Sequence, residues 1–310
     1  MRKKRGTSKG KARKSVEPSV GALIVTWNRK DDVIECIESI INTGYSRLII
    51  YLVDNASADG TVNVVADKFP DVRIIRSEEN LGFAGGNNLG LSWILEDGLD
   101  SVFLVNDDVV VSRDSLTILA RHLFESNSIG VTSPKVLIHS DPSVIWSAGG
   151  LIDRNTGIAI QRRYGEIDRN KEKIQEIDYA VGCAMLVKTE AIREAGLLDP
   201  RYFTYYEETD WCRRIKESGF KVLYVPKSRV SHKVTMQTTG RNQASYYYSR
   251  NRLLFLKNAG VSRSRIAFIA TSDLLRSAIV HTIKGRREQG RLTAKGVLDY
   301  YSNKFGKMQN

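Results

Sequence analysis

Short, wholly apolar runs alternate with amphipathic ones over the first third of the chain. "VGALIVTW" (20–27) and "RLIIYLV" (47–53) are continuous and rich in β-branched residues, the pattern of strands buried on both faces. Between them Val33, Ile34, Ile37, Ile40 and Ile41 recur at helical spacing, and Asp31 or Asp32 is placed to cap that helix. The alternation continues with a helix over 62–69, a strand at "VRIIR" (72–76), a helix over 87–96 and a strand at "SVFLV" (101–105). Repeated strand–helix–strand units predict an α/β fold, with a mainly parallel central sheet covered by helices on both faces. From Val131 the pattern is mixed. "SAGGLID" and "GIAIQRRYG" read as short strands around a Gly-rich turn, and "IDYAVGCAMLVK" as an apolar strand. "EETDWCRRIKESG" reads as a helix ended by Gly219, and "KVLYVP" as a strand. After Gly240 the chain reads as mostly helical.

Open parallel sheets bind ligands beyond the carboxyl ends of their strands. Asn28 and Arg29, Asp54 and Asn55, and Asn106 to Asp108 each directly follow an apolar run. Parallel strands would bring these three clusters to one rim. That accounts for two adjacent carboxylates inside the otherwise apolar "VFLVNDDVVV" (102–111): they need not lie within the sheet.

Composition narrows the picture. With 310 residues and 42% hydrophobic content the chain can bury a substantial core, as one large domain or two smaller ones. The net charge of +12 is unevenly placed. Residues 1–14 hold eight Lys/Arg and no acid, and residues 241–310 hold fourteen against three acids, which leaves the middle at −7. An acidic body argues against a nucleic-acid-binding core. It suits a metal-using catalytic body whose basic ends meet an anionic surface. Cys36, Cys183 and Cys212 are far apart and odd in number, without zinc spacing or a disulfide framework, which suits a reducing cytoplasm. No apolar run approaches the roughly 20 residues of a membrane span, and no signal-peptide segment follows the basic start. The expectation is a soluble, unexported protein with a disordered basic tail over 1–17.

Several constellations carry candidate chemistry. Asp107 and Asp108 on a strand-end loop offer hard oxygen ligands for Mg2+ or Mn2+, or simply end the strand. In "LVDNASADGT" (52–61) Asp54 is placed to accept a hydrogen bond from a pyrimidine imide or a ribose hydroxyl; an ordinary strand–turn–helix link has the same look. "NLGFAGGNNLG" (80–90) is a Gly- and Asn-rich approach to a helix, where small residues let backbone come close to a ligand. Its glycine spacing is not that of a dinucleotide fingerprint. "YYEETDWCRR" sets Glu207, Glu208 and Asp210 at a helix N-terminus, as helix-capping acids or as a general base. His232 becomes a ligand if it sits beside a carboxylate metal site.

Together these pieces resemble the family 2 glycosyltransferases, over about residues 19–235 and in consistent order. The matching segments are "VTWN", "VDNASADGT", "NLGFAGGNNLG", "LVNDDV", the run from "GCAMLVKTEAI" through "YYEETDWCRR", and "VSH". The resemblance implies the GT-A (nucleotide-diphospho-sugar transferase) fold for 18–239, with 240–310 as a mostly helical, basic C-terminal extension. It implies donor contacts from Thr26, Asn28, Asp54, Asn80, Gly82, Asn106 and Asp107. It also implies a metal held by Asp108 with His232, and a base at Glu208. Two departures stand out: Asn106 replaces a first acid of the DxD-like motif, and Glu208 replaces the commoner Asp, which leaves Glu207 as the alternative base. "VDNASADGT", "NLGFAGGNN" and the later "YYYSRNRLLFL" look most like bacterial rhamnosyltransferases and their relatives.

The expectation is therefore an inverting, metal-assisted transfer from a nucleotide-diphosphate sugar, dTDP-rhamnose or a UDP-sugar, to a glycan or lipid-linked glycan. A sugar-nucleotide nucleotidyltransferase is the first alternative, although "WNRKDDVIECIES" lacks the glycines of a triphosphate loop. A basic, non-enzymatic nucleic-acid-binding protein is the second. In the C-terminal extension Ile266, Ile269, Leu274, Ile279 and Ile283 are expected to cover the body or pair with a second copy. Lys284, Arg286, Arg287 and Arg291 are placed to face an anionic membrane surface or plain solvent.

Overall fold

The computed structural model describes residues 17–233 and 241–309. The expected basic tail, apart from Glu17, lies outside the described residues, as does the domain boundary expected at 239. The elements run β1 (Val20–Thr26), α1 (Lys30–Ile41), β2 (Leu48–Asp54), α2 (Thr61–Lys68), β3 (Arg73–Arg76), α3 (Gly82–Glu96), β4 (Ser101–Asn106), β5 (Val109–Val111) and α4 (Ser115–Leu123). There follow β6 (Ile129–Ile138), β7 (Asp141–Ser147), β8 (Gly150–Asp153), β9 (Ile158–Gln161), β10 (Gln175–Glu176), β11 (Ala184–Lys188) and α5 (Thr189–Ala195). The chain continues through α6 (Glu207–Glu217), β12 (Lys221–His232), α7 (Arg241–Asn258), α8 (Arg263–Ile269), α9 (Arg276–Ile283) and α10 (Arg287–Tyr301).

The strands order as β10-β12-β6-β11-β4-β1-β2-β3, with β5 on β12 and β7 on β6; β8 and β9 form a separate hairpin. β4, β1, β2 and β3 are all parallel, as are β6 and β12, while β11 runs antiparallel between β4 and β6. The continuous apolar strands follow from burial on both faces. Ala22 and Ile24 pack with Val33, Cys36, Ile37 and Ile40 of α1, whereas Leu23 packs toward Leu91 and Ile94 of α3. Each fully buried side chain of this size contributes on the order of 1.5–3 kcal/mol.

Four expectations are corrected. The Gly-rich stretch is not an approach to a helix but the first turns of α3, which begins at Gly82. Its glycines are needed for contact: a Cβ on Gly86 would lie 2.7 Å from Val25 and one on Gly90 2.2 Å from Leu23. Close helix–sheet packing thus overrides poor helix propensity. Second, of "IDYAVGCAMLVK" only Ala184–Lys188 is strand. Third, neither Asp31 nor Asp32 caps α1. Asp59 accepts from the Lys30 N–H at 3.0 Å instead, while Asp32 pairs with Arg29 and Lys233. Fourth, Arg263–Ile283 forms one 21-residue helical run, long and apolar enough by length and composition to cross a membrane. Its scattered charges broke the run when read linearly.

The C-terminal helices pack on the body through a cluster that joins Tyr202 and Tyr206 to Leu253, Phe255, Ile266 and Ile269. Ile266, Ile269 and Leu274 are buried as expected of covering residues, but Ile279 and Ile283 stand 61% and 80% exposed.

Candidate active site

The parallel register carries three strand ends to one rim. Thr26 lies beside Asp54 across β1 and β2, and Val25 beside Asn106 across β1 and β4. The loops beyond are latched to one another. Asn28, in a left-handed conformation, receives the Ala58 N–H on Oδ1 at 2.7 Å and donates its own N–H to Ser57 at 2.9 Å. Asp54 is buried and accepts from the Ser57 N–H at 3.2 Å. Asn55 donates to the Gly82 carbonyl at 3.0 Å and accepts from Leu81, while Asn80 accepts from the Gly82 N–H at 2.9 Å.

The two adjacent acids have different surroundings. Asp107 accepts from the Thr26 hydroxyl at 2.8 Å; burial and then the neighbouring Asp108 push its pKa up to about 7. For Asp108 burial acts upward too, but His232 and Arg29 outweigh it and hold the carboxyl below its ordinary value. His232 Nε2 lies 3.0 Å from Asp108 Oδ1, and Arg29 Nη1 3.2 Å from Oδ2. β5 pairs with the end of β12, bringing His232 opposite Val109. Trp146 meets the imidazole edge-on. The His232 Nδ1 is buried without a hydrogen-bond partner among the described residues.

The second acidic pair opens α6. Glu207 is buried, its Oε2 unpartnered among the described residues, and burial together with Glu208 pushes its pKa well up. Glu208 is partly exposed and also raised, by burial, against hydrogen bonds from its own backbone and from Thr209. Asp210 does not join them: Arg213 and Arg214 each bond one of its oxygens at 2.9 Å, bracing the helix.

The turn Val181-Gly182-Cys183 lies between the two acidic centres. Its Cys183 carbonyl accepts from the Asn106 N–H at 2.9 Å. A Cβ on Gly182 would sit 3.1 Å from the Phe83 ring and 3.5 Å from Glu208 Cγ. Burial first, then the charges of Asp108 and Glu208, push the Cys183 thiol well up. A cavity of about 480 Å³ opens alongside, lined by Trp27, Asn80, Phe203, Tyr205 and Tyr247.

Thr26, Asn28, Asp54, Asn80, Gly82, Asn106, Asp107, Asp108 and His232 therefore gather at the rim, and Glu208 approaches the Gly182–Cys183 turn that meets it. The sequence puts Arg29 and Asn55 at the rim and Gly182 and Cys183 at the head of the matching segment "GCAMLVKTEAI", in each case without a role. Their position just beyond a strand end or at the start of a matching segment was the available signal.

Comparison with known proteins bears on the family and the fold. The model of the glycosyl transferase family 2 matches residues 22–196. A low-salt glycan biosynthesis hexosyltransferase of Haloferax volcanii is 23% identical over 273 residues, covering 86% of this chain and 84% of that protein. An N-acetylglucosaminyl-diphospho-decaprenol L-rhamnosyltransferase of Mycobacterium tuberculosis is 25% identical over 270 residues, covering 78% and 86%. Among solved structures, a mannosyltransferase from Pyrobaculum calidifontis in complex with GDP-Man and Mn2+ superposes with a TM-score of 0.61 at 15% identity, over 94% of this chain and 89% of that one. The fold is the GT-A fold, and the chain belongs to the family 2 glycosyltransferases.

Proposed function

We propose that this glycosyltransferase inverts the anomeric centre as it moves a sugar from dTDP-rhamnose or a UDP-sugar to a lipid-linked glycan, with Glu208 as base and Asp108 as the anchor for Mg2+ or Mn2+. The observation that carries the reading is the Gly182–Cys183 turn: its Cys183 carbonyl accepts from the Asn106 N–H at 2.9 Å, and a Cβ on Gly182 would lie 3.5 Å from Glu208 Cγ, so one short segment meets both acidic stretches. The rhamnosyltransferase relative, named for a diphospho-decaprenol acceptor, supports the lipid-linked glycan.

Glu208 accepts the proton of the acceptor hydroxyl as that oxygen bonds to the anomeric carbon and the nucleoside diphosphate leaves from the opposite face. A raised pKa suits it to take a proton near neutral pH. Glu207 is buried beside it, and burial and the Glu208 charge push its carboxyl well up, which disfavours a second negative charge there. Among the described residues no group of three His, Cys, Asp or Glu side chains is arranged to hold a metal ion. The Asp108 carboxylate, with His232 3.0 Å away, would supply the protein's part of a site that relies on the substrate diphosphate for the rest, the usual mode for Mg2+. When bound, the ion neutralises charge on the leaving diphosphate. Thr26 holds Asp107, and Arg29 and His232 orient Asp108.

The exposed Phe268, Ile279 and Ile283, followed by Lys284, Arg286 and Arg287, form a face suited to peripheral contact with an anionic, cytoplasmic membrane surface, where such acceptors would lie. The deciding assay offers a panel of nucleotide sugars with a polyprenyl-diphosphate-linked sugar. Transfer is expected from one donor, with inverted anomeric configuration in the product, and is lost in Asp108→Ala. Retained configuration, or transfer undiminished in Asp108→Ala, overturns the reading.

A further inference from the structure

The loop that delivers Glu207 and Glu208 is strained. Phe203, Tyr205 and Tyr206 have φ of +64°, +67° and +74°, in a region that L side chains rarely adopt. Each such residue costs on the order of 1–2 kcal/mol and persists only where the surroundings over-determine it. Here they do so from α7, in the C-terminal extension.

We propose that Arg250 and Asn251 of α7 are positioning residues for transfer: they grip the carbonyls of Arg201, Tyr202, Thr204 and Tyr205 and thereby hold Glu207 and Glu208 in the geometry the chemistry needs. This rests on the reading of that pair as the site of the base.

Asn251 Nδ2 lies 2.9 Å from the Tyr202 carbonyl and 2.8 Å from those of Thr204 and Tyr205. Its Oδ1 accepts from Arg250 Nε at 2.9 Å, which orients the amide so that its donor end faces the loop. Arg250 Nη2 donates to the carbonyls of Tyr202 at 2.9 Å and Arg201 at 3.2 Å. Both side chains are fully buried. The Arg250 charge is met by carbonyls and by the Tyr246 and Tyr247 rings, each 5.1 Å away, and reaches the Asp299 carboxylate only through the Tyr246 hydroxyl. A buried guanidinium of this kind is a poor device for stability alone, since a well-packed apolar residue is often as good or better. Its donors instead match the outward carbonyls of a backbone that cannot satisfy itself. The grip reaches the donor side as well. The Phe203 carbonyl accepts from the Ala84 N–H at 3.2 Å, and a Cβ on Gly82 would lie 2.5 Å from the Phe203 ring.

The test compares Asn251→Ala, Asn251→Ser and Arg250→Lys with Ser249→Ala. Ser249 bonds the Thr293 carbonyl of α10 at 3.0 Å and is not among the loop's hydrogen-bond partners. Asn251→Ala is expected to lower kcat about a hundredfold, the scale of a misplaced catalytic group. Donor KM should stay within about threefold. The acidic limb of its kcat–pH profile should move to lower pH, because a loosened loop hydrates Glu208. The groups facing Glu208 in that profile are Glu207, Tyr179, Tyr205, Tyr206, Tyr248, Cys183 and Cys212. Ser249→Ala should lower the melting temperature and leave kcat within about twofold. Asn251→Ser and Arg250→Lys should be intermediate, and they carry the test if the alanine variant does not fold. The proposal is overturned if the cooperatively melting variants keep wild-type kcat, if their kcat loss merely follows melting temperature as in Ser249→Ala, or if none of the three folds. Glu208→Gln, measured alongside, separates the two readings: normal turnover there rejects the base assignment, whatever Asn251 does.

Discussion

Asp107 and Asp108 are adjacent in sequence and opposite in electrostatics. Arg29 lies near both, 3.7 Å from Asp107 and 3.2 Å from Asp108, but Asp107 has only a hydroxyl besides, whereas Asp108 has the His232 imidazole. Asp108 is thus the carboxylate that stays ionised, and Asp108→Ala is expected to reduce transfer by about two to three orders of magnitude, as loss of a preorganised electrostatic partner does. The variant should still melt cooperatively, because the side chain belongs to a rim loop. EDTA should act on the wild type in the same direction, with activity returning on added Mn2+; full activity in excess EDTA speaks against a metal. Glu208→Gln should lower kcat by about two to four orders of magnitude while donor binding, read by calorimetry, persists. The active form of Glu208 is deprotonated, so wild-type kcat should be low in acid and rise through about pH 6. A crippled Glu207→Gln with a normal Glu208→Gln would move the base by one residue.

At the scale of elements, α3 depends on what its glycines leave out. Gly90 faces Leu23 of β1 and Val53 of β2 so closely that an added methyl would approach them to 2.2 and 3.0 Å. Helix propensity alone predicts that Gly90→Ala stabilises α3 by about 1 kcal/mol. Overpacking predicts a loss of about 1–3 kcal/mol. The second should win, because both neighbours are fully buried and have no free volume to move into. Urea denaturation of the variant reads the sign directly.

For the whole molecule, the basic charge of the C-terminal extension lies beside exposed apolar surface. Phe268, Ile279 and Ile283 are 59%, 61% and 80% exposed, and Lys284, Arg286, Arg287 and Arg291 follow. Near an anionic bilayer each basic residue contributes about 1 kcal/mol, screened by salt. Flotation should therefore recover the protein with anionic vesicles at low salt, less so with neutral ones, and less again as salt rises. Replacing Ile279 and Ile283 together with Glu should abolish recovery. Equal and negligible recovery with both lipids rejects the membrane face, and sedimentation then tests whether a second copy covers it.

Local patterning was enough for some of this protein. Strands buried on both faces read as continuous apolar runs, so β1, β2 and β4 were legible, and with them the shared rim of Asn28, Asp54 and Asn106 to Asp108. Motif order made the family legible for the same reason: it lies in short contiguous segments. What the sequence did not determine depends on contacts between distant residues. The Gly-rich segment became helix because α3 lies nearly against the backbone of the sheet, and Asp59 rather than Asp31 or Asp32 served the start of α1. Asp210 sits three residues from Glu207 yet was drawn into ion pairs on its own helix. Arg29 acts on both Asp107 and Asp108; their opposite shifts were decided chiefly by His232, 124 positions from Asp108. The grip of Arg250 and Asn251 on a strained loop some 45–50 positions earlier lay equally beyond sequence reading. Periodicity records which face of an element is buried; only the tertiary structure determines which buried polar group meets which.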